Sequence, residues 1–284
     1  MKISYFLIIT LLVGILSGCA PRIESNFNAV ANGEPDQIPV AADSKTATTS
    51  NQQDVEITES EVPLKPVKEE ALVPKPTEMP EAGPEAVIPQ KLDSEMVFVS
   101  QAPYAVWDQL HEEACEEASM IMVKKYFSKE SLSAHIMEQE ILDLVEWEQT
   151  QGYQIDLTAQ ETATILRDYF TLSAEVITDV NVERIKQELV AGKLIIVPAA
   201  GRELGNPYFQ TPGPIYHMLI IKGFDDNTQE FITNDPGTRR GKDFRYSYQR
   251  LLSAIHDWDH ELAKGGMTDE EISQGRKVII LVSN

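Results

Sequence analysis

The chain has 284 residues, with 24 Lys and Arg against 45 Asp and Glu, which gives a formal net charge of −21 at pH 7. This charge argues against nucleic acid as a partner, because phosphate binding needs a basic surface, and against simple electrostatic adhesion to anionic lipid. The length allows one or two domains, and two cysteines, Cys19 and Cys115, are too few for a disulfide framework.

Residues 1–18 are predicted to be a lipoprotein signal peptide. Lys2 precedes a largely apolar run over residues 3–16, which is shorter than the roughly 20 residues of a membrane-spanning helix but fits the apolar part of a signal peptide. The run leads into Leu-Ser-Gly-Cys at residues 16–19, which looks like a bacterial lipobox. Acylation of Cys19 would anchor the chain at the cell membrane, outside the cytoplasm. An uncleaved anchor and a plain secretory signal stay open as alternatives.

Residues 19–95 are predicted to form a disordered linker. This stretch is rich in Pro, Glu, Thr, Ser and Gln and shows no sustained helical or strand periodicity. Such a composition does not bury enough apolar surface to offset the entropy of ordering. We expect a stalk that holds one folded domain, residues 96–284, away from the membrane, with a binding role for the stalk as the alternative.

The first half of this domain is predicted to be mainly helical. Apolar residues recur at helical spacing after Cys115, and Thr158 with Glu161 matches a capping box. Asn181 is a predicted helix cap, and Gly192 a predicted stop. The helices are predicted over residues 115–127, over residues 134–147, from the capping box to residue 169, and from the Asn181 cap to the residue before Gly192.

Strands are predicted mostly in the second half. After a short apolar strand at residues 96–99, apolar and partly β-branched runs end the domain together with a helix capped by Ser247 and extending to about residue 257. The later strands are predicted over residues 194–199, 216–224, 230–233 and 277–283. Helices that precede clustered strands favour an α+β fold over a doubly wound α/β fold.

Cys115 is the candidate nucleophile. It lies at the predicted start of a helix, where the peptide dipoles favour a thiolate, and polar residues before it predict a helix tip that faces the surface. Four neighbouring glutamates would raise its pKa, so activation needs a histidine partner. We interpret two of them, Glu116 and Glu117, as first-turn residues that complement the helix dipole. A small buried cysteine without chemistry is the alternative.

His217 is the candidate base because it opens an apolar strand directly after a turn-rich segment. The histidines at 135, 256 and 260 have charged neighbours and are expected at the surface. In a hairpin centred on residues 225–227, His217 lies opposite about position 235, so Asp235 can orient the imidazole and stabilise its cation. The alternatives are a structural histidine and an aspartate that only opens the following turn.

Further residues are candidates for supporting roles. Gln101 or Gln109 can donate a hydrogen bond to an oxyanion beside the backbone N–H of the nucleophile. Asn206, Tyr208 and Tyr216 are expected to bind substrate, in or beside a loop over residues 201–214 that lines the cleft, whereas the arginines at 239 and 240 are expected to be solvated. No metal or cofactor is expected, since the sequence has no HExxH, zinc-spaced cysteine pair, GxGxxG or Walker loop.

Four segments occur in an order that resembles the C39-like peptidase family. They are Ser-Gln-Ala-Pro-Tyr from residue 100, Glu-Ala-Cys-Glu-Glu-Ala-Ser from 113, Tyr-His-Met-Leu-Ile-Ile-Lys-Gly-Phe from 216 and Asn-Asp-Pro-Gly-Thr from 234. The resemblance covers essentially residues 96–284 and implies a papain-like fold.

By motif match, the resemblance implies Cys115 as nucleophile, His217 as base and Asp235 as orienting acid. Gln101 looks like the strand-end glutamine of stand-alone members, and we prefer it as the oxyanion donor. Gln109 has the six-residue spacing of the bacteriocin-processing members. The double-glycine substrate of those transporter-fused relatives is not carried over, because this chain has no transporter segment and is expected outside the cytoplasm.

Together these features predict an exported, lipid-anchored cysteine peptidase. It would hydrolyse peptide or amide bonds of a peptide or protein substrate through an acyl-enzyme. Two alternatives remain open at this stage: a non-catalytic envelope module that binds peptide or glycan, and a transpeptidase or transamidase in which an amine replaces water.

Overall fold

A computed structural model of the protein describes residues 87–284. The predicted signal peptide, Cys19 and most of the predicted linker lie outside the described residues. Within the described part, no helix combines the length and apolar character needed to cross a membrane. The predicted disorder up to residue 95 is wrong for Lys91–Asp93, which form β1 and pair antiparallel with residues 223–225.

The domain is an α+β fold, as predicted: an N-terminal helical part packs on an antiparallel sheet. The helices are α1 (Gln109–Glu112), α2 (Cys115–Ser128), α3 (Ala134–Gln151), α4 (Ala159–Asp168), α5 (Val182–Val190), α6 (Gly201–Leu204), α7 (Tyr248–Ala254) and α8 (Asp269–Ile272), with a 3₁₀ turn at Leu262–Gly265. The remaining strands are β2 (Ser173–Ile177), β3 (Leu194–Ala200), β4 (Tyr216–Asp225), β5 (Glu230–Asn234), β6 (Phe244–Ser247) and β7 (Ile279–Ser283).

The sheet order is β2-β7-β3-β4-β5-β6, with β1 beside the far end of β4. Strand β4 is fully buried because helices cover both faces of the sheet. Met218 and Ile220 belong to the core shared with α2, α3 and α4, whereas the alternate residues Leu219 and Ile221 belong to the core shared with α5 and α7. This period of two is the expected geometry of a strand buried on both sides.

Local sequence signals explain several element boundaries. Thr158 and Glu161 form the predicted capping box at the start of α4. Asn181 caps α5 by accepting from Arg184 N–H. Gly192, with φ of 85°, follows the last residues of α5 in the left-handed conformation that favours glycine.

Other boundaries differ from the expectations. Residues 96–99 form no strand; Met96 is buried in the core, so this apolar signal reflects packing rather than sheet pairing. Strands β2 and β6 were not predicted, because they are short and partly exposed. Helix α3 continues to Gln151, beyond the predicted end at residue 147. Helix α7 ends at Ala254, before the predicted end at about residue 257, because Ile255 bridges to Ala199 of β3.

Candidate active site

His217 and Asp235 form a buried pair at the start of β4 and just beyond β5. The distance between His217 Nε2 and Asp235 Oδ1 is 2.8 Å, and the two side chains are 1% and 0% exposed. The edge of the Phe209 ring packs against the imidazole, with 5.2 Å between ring centroids. Because Nε2 is occupied, Nδ1 is the nitrogen that remains for a proton transfer.

Asp235 is held by hydrogen bonds on both carboxylate oxygens. Oδ2 accepts from Asn206 Nδ2 (2.9 Å) and from the Tyr246 hydroxyl (2.6 Å), and Oδ1 also accepts from the Gly237 N–H (3.0 Å). Burial alone raises the pKa of Asp235, but the charge of His217 and these hydrogen bonds outweigh it, so the pKa lies below its usual value. Asp235 is therefore positioned as an anion against the imidazole.

The predicted direct opposition of His217 and Asp235 across the hairpin is wrong. The β4–β5 pairing ends at Ile220 and Asn234, with a register irregularity between Ile221 and Gly223. Continuing this register would place Asp235 opposite position 219, so its contact with His217 is diagonal. A diagonal neighbour lies on the same face of the sheet and within reach of a ring side chain.

Cys115 is the first residue of α2, as predicted, but it does not face the surface. Its side chain belongs to the core and the residue is only 5% exposed. The thiol donates to Glu116 Oε2 (2.8 Å), and Sγ accepts from the backbone N–H of Met218 (3.2 Å). The sulfur thus lies against the residue that directly follows His217. Among the described residues, no hydrogen bond joins Sγ to the imidazole.

The glutamates after Cys115 are buried, so our interpretation of them as residues that only complement the helix dipole is wrong. Glu116 and Glu117 are 1% and 3% exposed. Burial raises the pKa of both, and that of Glu117 reaches about 7. Burial, followed by the charge and hydrogen bond of Glu116, raises the pKa of the Cys115 thiol well above its ordinary value. The thiol in this arrangement is protonated.

The two candidate oxyanion glutamines occupy different places. Gln101 lines the cleft together with His217. Its Nε2 donates to the carbonyl oxygens of His111 (2.9 Å) and Glu112 (3.0 Å), so both amide protons are in use. Gln109 is exposed at the start of α1 and lines a separate cavity. Of the two, only Gln101 lines the cleft that contains His217.

A cleft of about 460 Å³ borders this cluster. Of the loop expected to line the cleft, residues 201–214, only residues 209–214 do so; they form one wall together with Ile215, and Trp107 and Trp258 contribute aromatic surface. Tyr216 lines the cleft, but its hydroxyl donates to Leu157 O (2.8 Å). Acidic side chains lie on another part of the wall, at positions 112, 113 and 156.

The structure corrects the role expected for one of the substrate-binding residues. Asn206 lies behind Asp235, is 6% exposed and donates to both Asp235 and Tyr246, so it positions the aspartate instead of lining the cleft. Tyr208 lines an adjoining cavity beside Arg239 and Arg240, with the Arg240 guanidinium 4.8 Å from its ring centre. Both arginines are exposed, as expected.

His256, expected at the surface, is buried, and its Nδ1 lies 3.0 Å from Gly275 O. Tyr246 and Gly237, which donate hydrogen bonds to Asp235, were not predicted as site residues. A single tyrosine on a short strand and a glycine in a turn do not indicate which distant residues they contact. Among the described residues, no group of His, Cys, Asp and Glu side chains is arranged to hold a metal ion.

The chain matches one protein family and is similar to two solved structures. The family described as "Peptidase_C39 like family" matches residues 99–260, more than half of the chain. None of the curated proteins matches. A Bacillus anthracis protein described as a C39-like peptidase has 14% identity and a TM-score of 0.43, over 68% of this chain and 98% of its own. Xylellain, a cysteine protease from Xylella fastidiosa, has 12% identity and a TM-score of 0.34, over 70% of this chain and 87% of its own.

Proposed function

The chain belongs to the C39-like peptidase family, and we propose that it is an exported, lipid-anchored cysteine peptidase that hydrolyses peptide or amide bonds. The observation that carries the proposal is the buried His217–Asp235 pair at the wall of a cleft, together with the position of Cys115. Its Sγ accepts a hydrogen bond from the backbone N–H of Met218, the residue that follows His217. A nucleophile, a base and an orienting acid are the three groups that acyl transfer to a thiol requires.

In the proposed reaction, His217 Nδ1 accepts the thiol proton of Cys115, while Asp235 holds the proton on Nε2 and stabilises the resulting imidazolium. The thiolate attacks the substrate carbonyl carbon, and His217 returns the proton to the leaving amine. Water, deprotonated by the same imidazole, then cleaves the thioester and restores the thiol.

The charge that develops on the carbonyl oxygen needs donors. The backbone N–H of Cys115 is in the first turn of α2, where amides have no partner within the helix. Gln101 is the second donor in this proposal, after one of its two bonds to the α1 carbonyls has broken.

Activation also requires the thiol to leave Glu116. The S–H bond now points to Glu116 Oε2, and rotation about the Cβ–Sγ bond of Cys115 is needed to turn the proton toward His217. Hydrogen bonds in sites without substrate are often misaligned and tighten only in the substrate complex. We therefore assign the arrangement of the thiol to a resting state.

Labelling with an epoxysuccinyl peptide probe tests the pairing of Cys115 with His217. Using the full-length chain, we expect the probe to modify Cys115, as located by peptide mapping, and we expect His217→Ala to slow the labelling by at least about 100-fold, the lower bound for loss of a general base. His135→Ala is the matched control, because that histidine is exposed on α3. Equal labelling rates in His217→Ala and the wild type would refute the pairing.

A non-catalytic binding module is the second candidate function. The raised pKa of the Cys115 thiol favours it, because a neutral thiol is a poor nucleophile. Turnover of a random peptide library by the wild type and by Cys115→Ser separates the two candidates. Cleavage that is lost in Cys115→Ser supports the peptidase. Peptides that bind equally to both proteins without being cleaved support the binding module.

The lipid anchor is a separate part of the proposal, and it rests on the lipobox-like segment that ends at Cys19. Expression in a bacterium fed an alkyne-tagged fatty acid should give a labelled protein. Cys19→Ala should lose the label, and Cys115→Ala should keep it. Labelling that persists in Cys19→Ala would exclude this anchor and leave the peptidase proposal untouched.

A further inference from the structure

A second cavity, of about 240 Å³, lies beside the cleft at the start of α2. Its base holds two carboxyl groups, Glu117 on α2 and Glu148 on α3, and Glu113 lies at its rim. Among the residues that line it, none carries a positive charge. Ala114 also lines the cavity. The remaining wall residues have apolar, aromatic or amide side chains: Gln109, Leu110, Val145, Gln149, Tyr153, Gln154 and Ile155.

The two carboxyl groups are hydrogen-bonded to each other, and each keeps one oxygen atom without a partner. Glu117 and Glu148 are 3% and 5% exposed. Glu117 Oε2 and Glu148 Oε1 are buried without a hydrogen-bond partner among the described residues. A buried polar atom left unpaired costs roughly 1–3 kcal/mol, and more when it is charged. Each carboxyl group therefore retains one unpaired acceptor atom that a donor cation would satisfy.

The protonation state of this pair leaves a negative charge that no residue lining the cavity balances. Burial raises the pKa of Glu117 to about 7, and burial with the charge of Glu117 raises that of Glu148 to about 11. Near neutral pH the pair therefore shares a proton and has at most about one negative charge. A single bound cation would neutralise it.

The cavity adjoins the proposed reaction centre. Ala114, which lines it, directly precedes Cys115, and Glu113 lines both this cavity and the cleft that contains His217. A peptide that lies in the cleft can thus extend one side chain past Glu113 into the cavity. Its volume is below the ~300–1,000 Å³ that is usual for whole ligands, so it suits one side chain.

We propose that this cavity is a specificity subsite for the protonated side chain of a lysine or arginine in the substrate. Leu110, Val145 and Ile155 contact the aliphatic stem, and the ring of Tyr153 lies beside the cation. Glu117 and Glu148 accept its N–H groups. The arginines near the cleft, Arg239 and Arg240, line a different adjoining cavity and do not compete for the carboxylates.

The proposal rests on the proposed peptidase function, and paired peptides test it. The probes are N-acetylated alanine pentapeptide amides in which one position is Lys or norleucine, which differ in charge but not in the hydrocarbon stem. With the full-length chain, we expect the Lys peptide to be cleaved at least tenfold more efficiently in kcat/KM at one position. Glu117→Gln, which removes the member of the pair that is ionised near neutral pH, should reduce this ratio to about threefold or less. Glu146→Gln, an exposed carboxylate on the helix that bears Glu148, should leave the ratio unchanged.

Binding to Cys115→Ala, measured by calorimetry with the same peptides, makes the test independent of turnover. Tighter binding of the Lys peptide that is lost in Cys115→Ala/Glu117→Gln supports the subsite even when the wild type cleaves no peptide, an outcome that would refute only the peptidase. Equal binding of both peptides, or a Lys preference that survives Glu117→Gln in a protein with unchanged thermal unfolding, would overturn the subsite.

Discussion

Replacing Gly237 with alanine should displace the imidazole of His217. A Cβ atom at this position would lie 2.7 Å from His217 Cε1 and 2.9 Å from Phe209 Cε1. Carbon atoms in good contact are about 3.5–4.0 Å apart, so the ring must move by about 0.8–1.3 Å. The turn cannot easily yield instead, because the Gly237 N–H is bonded to Asp235. A misplacement of about 1 Å costs on the order of 100-fold in rate.

The assay for Gly237→Ala compares kcat/KM on a cleaved peptide with the free energy of unfolding in urea. We expect a loss of about 100-fold in kcat/KM and a destabilisation of about 1–3 kcal/mol, which is typical of overpacking. Gly265→Ala is the matched control, because nothing lies within 4 Å of a Cβ there. If Gly237→Ala retains the activity of Gly265→Ala, the imidazole is not confined in the way that we describe.

Three further predictions concern the surroundings of the site. Glu117→Gln should speed the alkylation of Cys115 by iodoacetamide severalfold at pH 8.5 and leave its rate unchanged at pH 5.5. The reason is that the pKa of Glu117 is about 7 and only its charged form opposes a thiolate. Equal effects at both pH values would exclude that charge as the cause. Tyr246→Phe removes a donor to Asp235 and should lower the free energy of unfolding by about 1.5–3 kcal/mol in urea, whereas a loss below about 0.5 kcal/mol would contradict the bond to a charged carboxylate. Gly223→Ala should separate β1 from β4, seen as faster amide exchange in β1, because a Cβ would overlap the Leu92 carbonyl oxygen; unchanged exchange would show that the strands adapt.

Local signals in the sequence were sufficient for most helices and for the strand that bears His217. The capping box at Thr158, the Asn181 cap and the apolar run of β4 each depend on neighbours within a few residues, and each is present. The α+β class followed from the order of these elements. The prediction of a strand at residues 96–99 is wrong, because an apolar run indicates burial but does not specify a pairing partner.

The candidate site was predictable only to the level of which residues meet. His217 and Asp235 do meet, but the turn is centred between residues 227 and 228 and not on residues 225–227, which shifts the register by three positions, and the bulge in β4 recovers only one of them. The sequence places Asn206 in a loop and so predicts contact with substrate. Its burial depends on packing against Tyr246 and Asp235, which no local sequence pattern encodes. Glu116 and Glu117 look like ordinary first-turn glutamates until α3 and the loop before α4 are packed over them.

The subsite and the state of the thiol are linked through Glu117, whose negative charge also raises the pKa of Cys115. A cation bound between Glu117 and Glu148 would offset that charge, so it must lower the pKa of the thiol. n-Butylammonium carries the head group of a lysine side chain and leaves the cleft free for a small reagent. It should therefore increase the rate at which iodoacetamide alkylates Cys115, with saturation, and the increase should vanish in Glu117→Gln. Tetramethylammonium at the same ionic strength, which has no N–H to donate, is the control. An equal increase with both cations would show that salt screening, and not occupation of the cavity, changes the thiol.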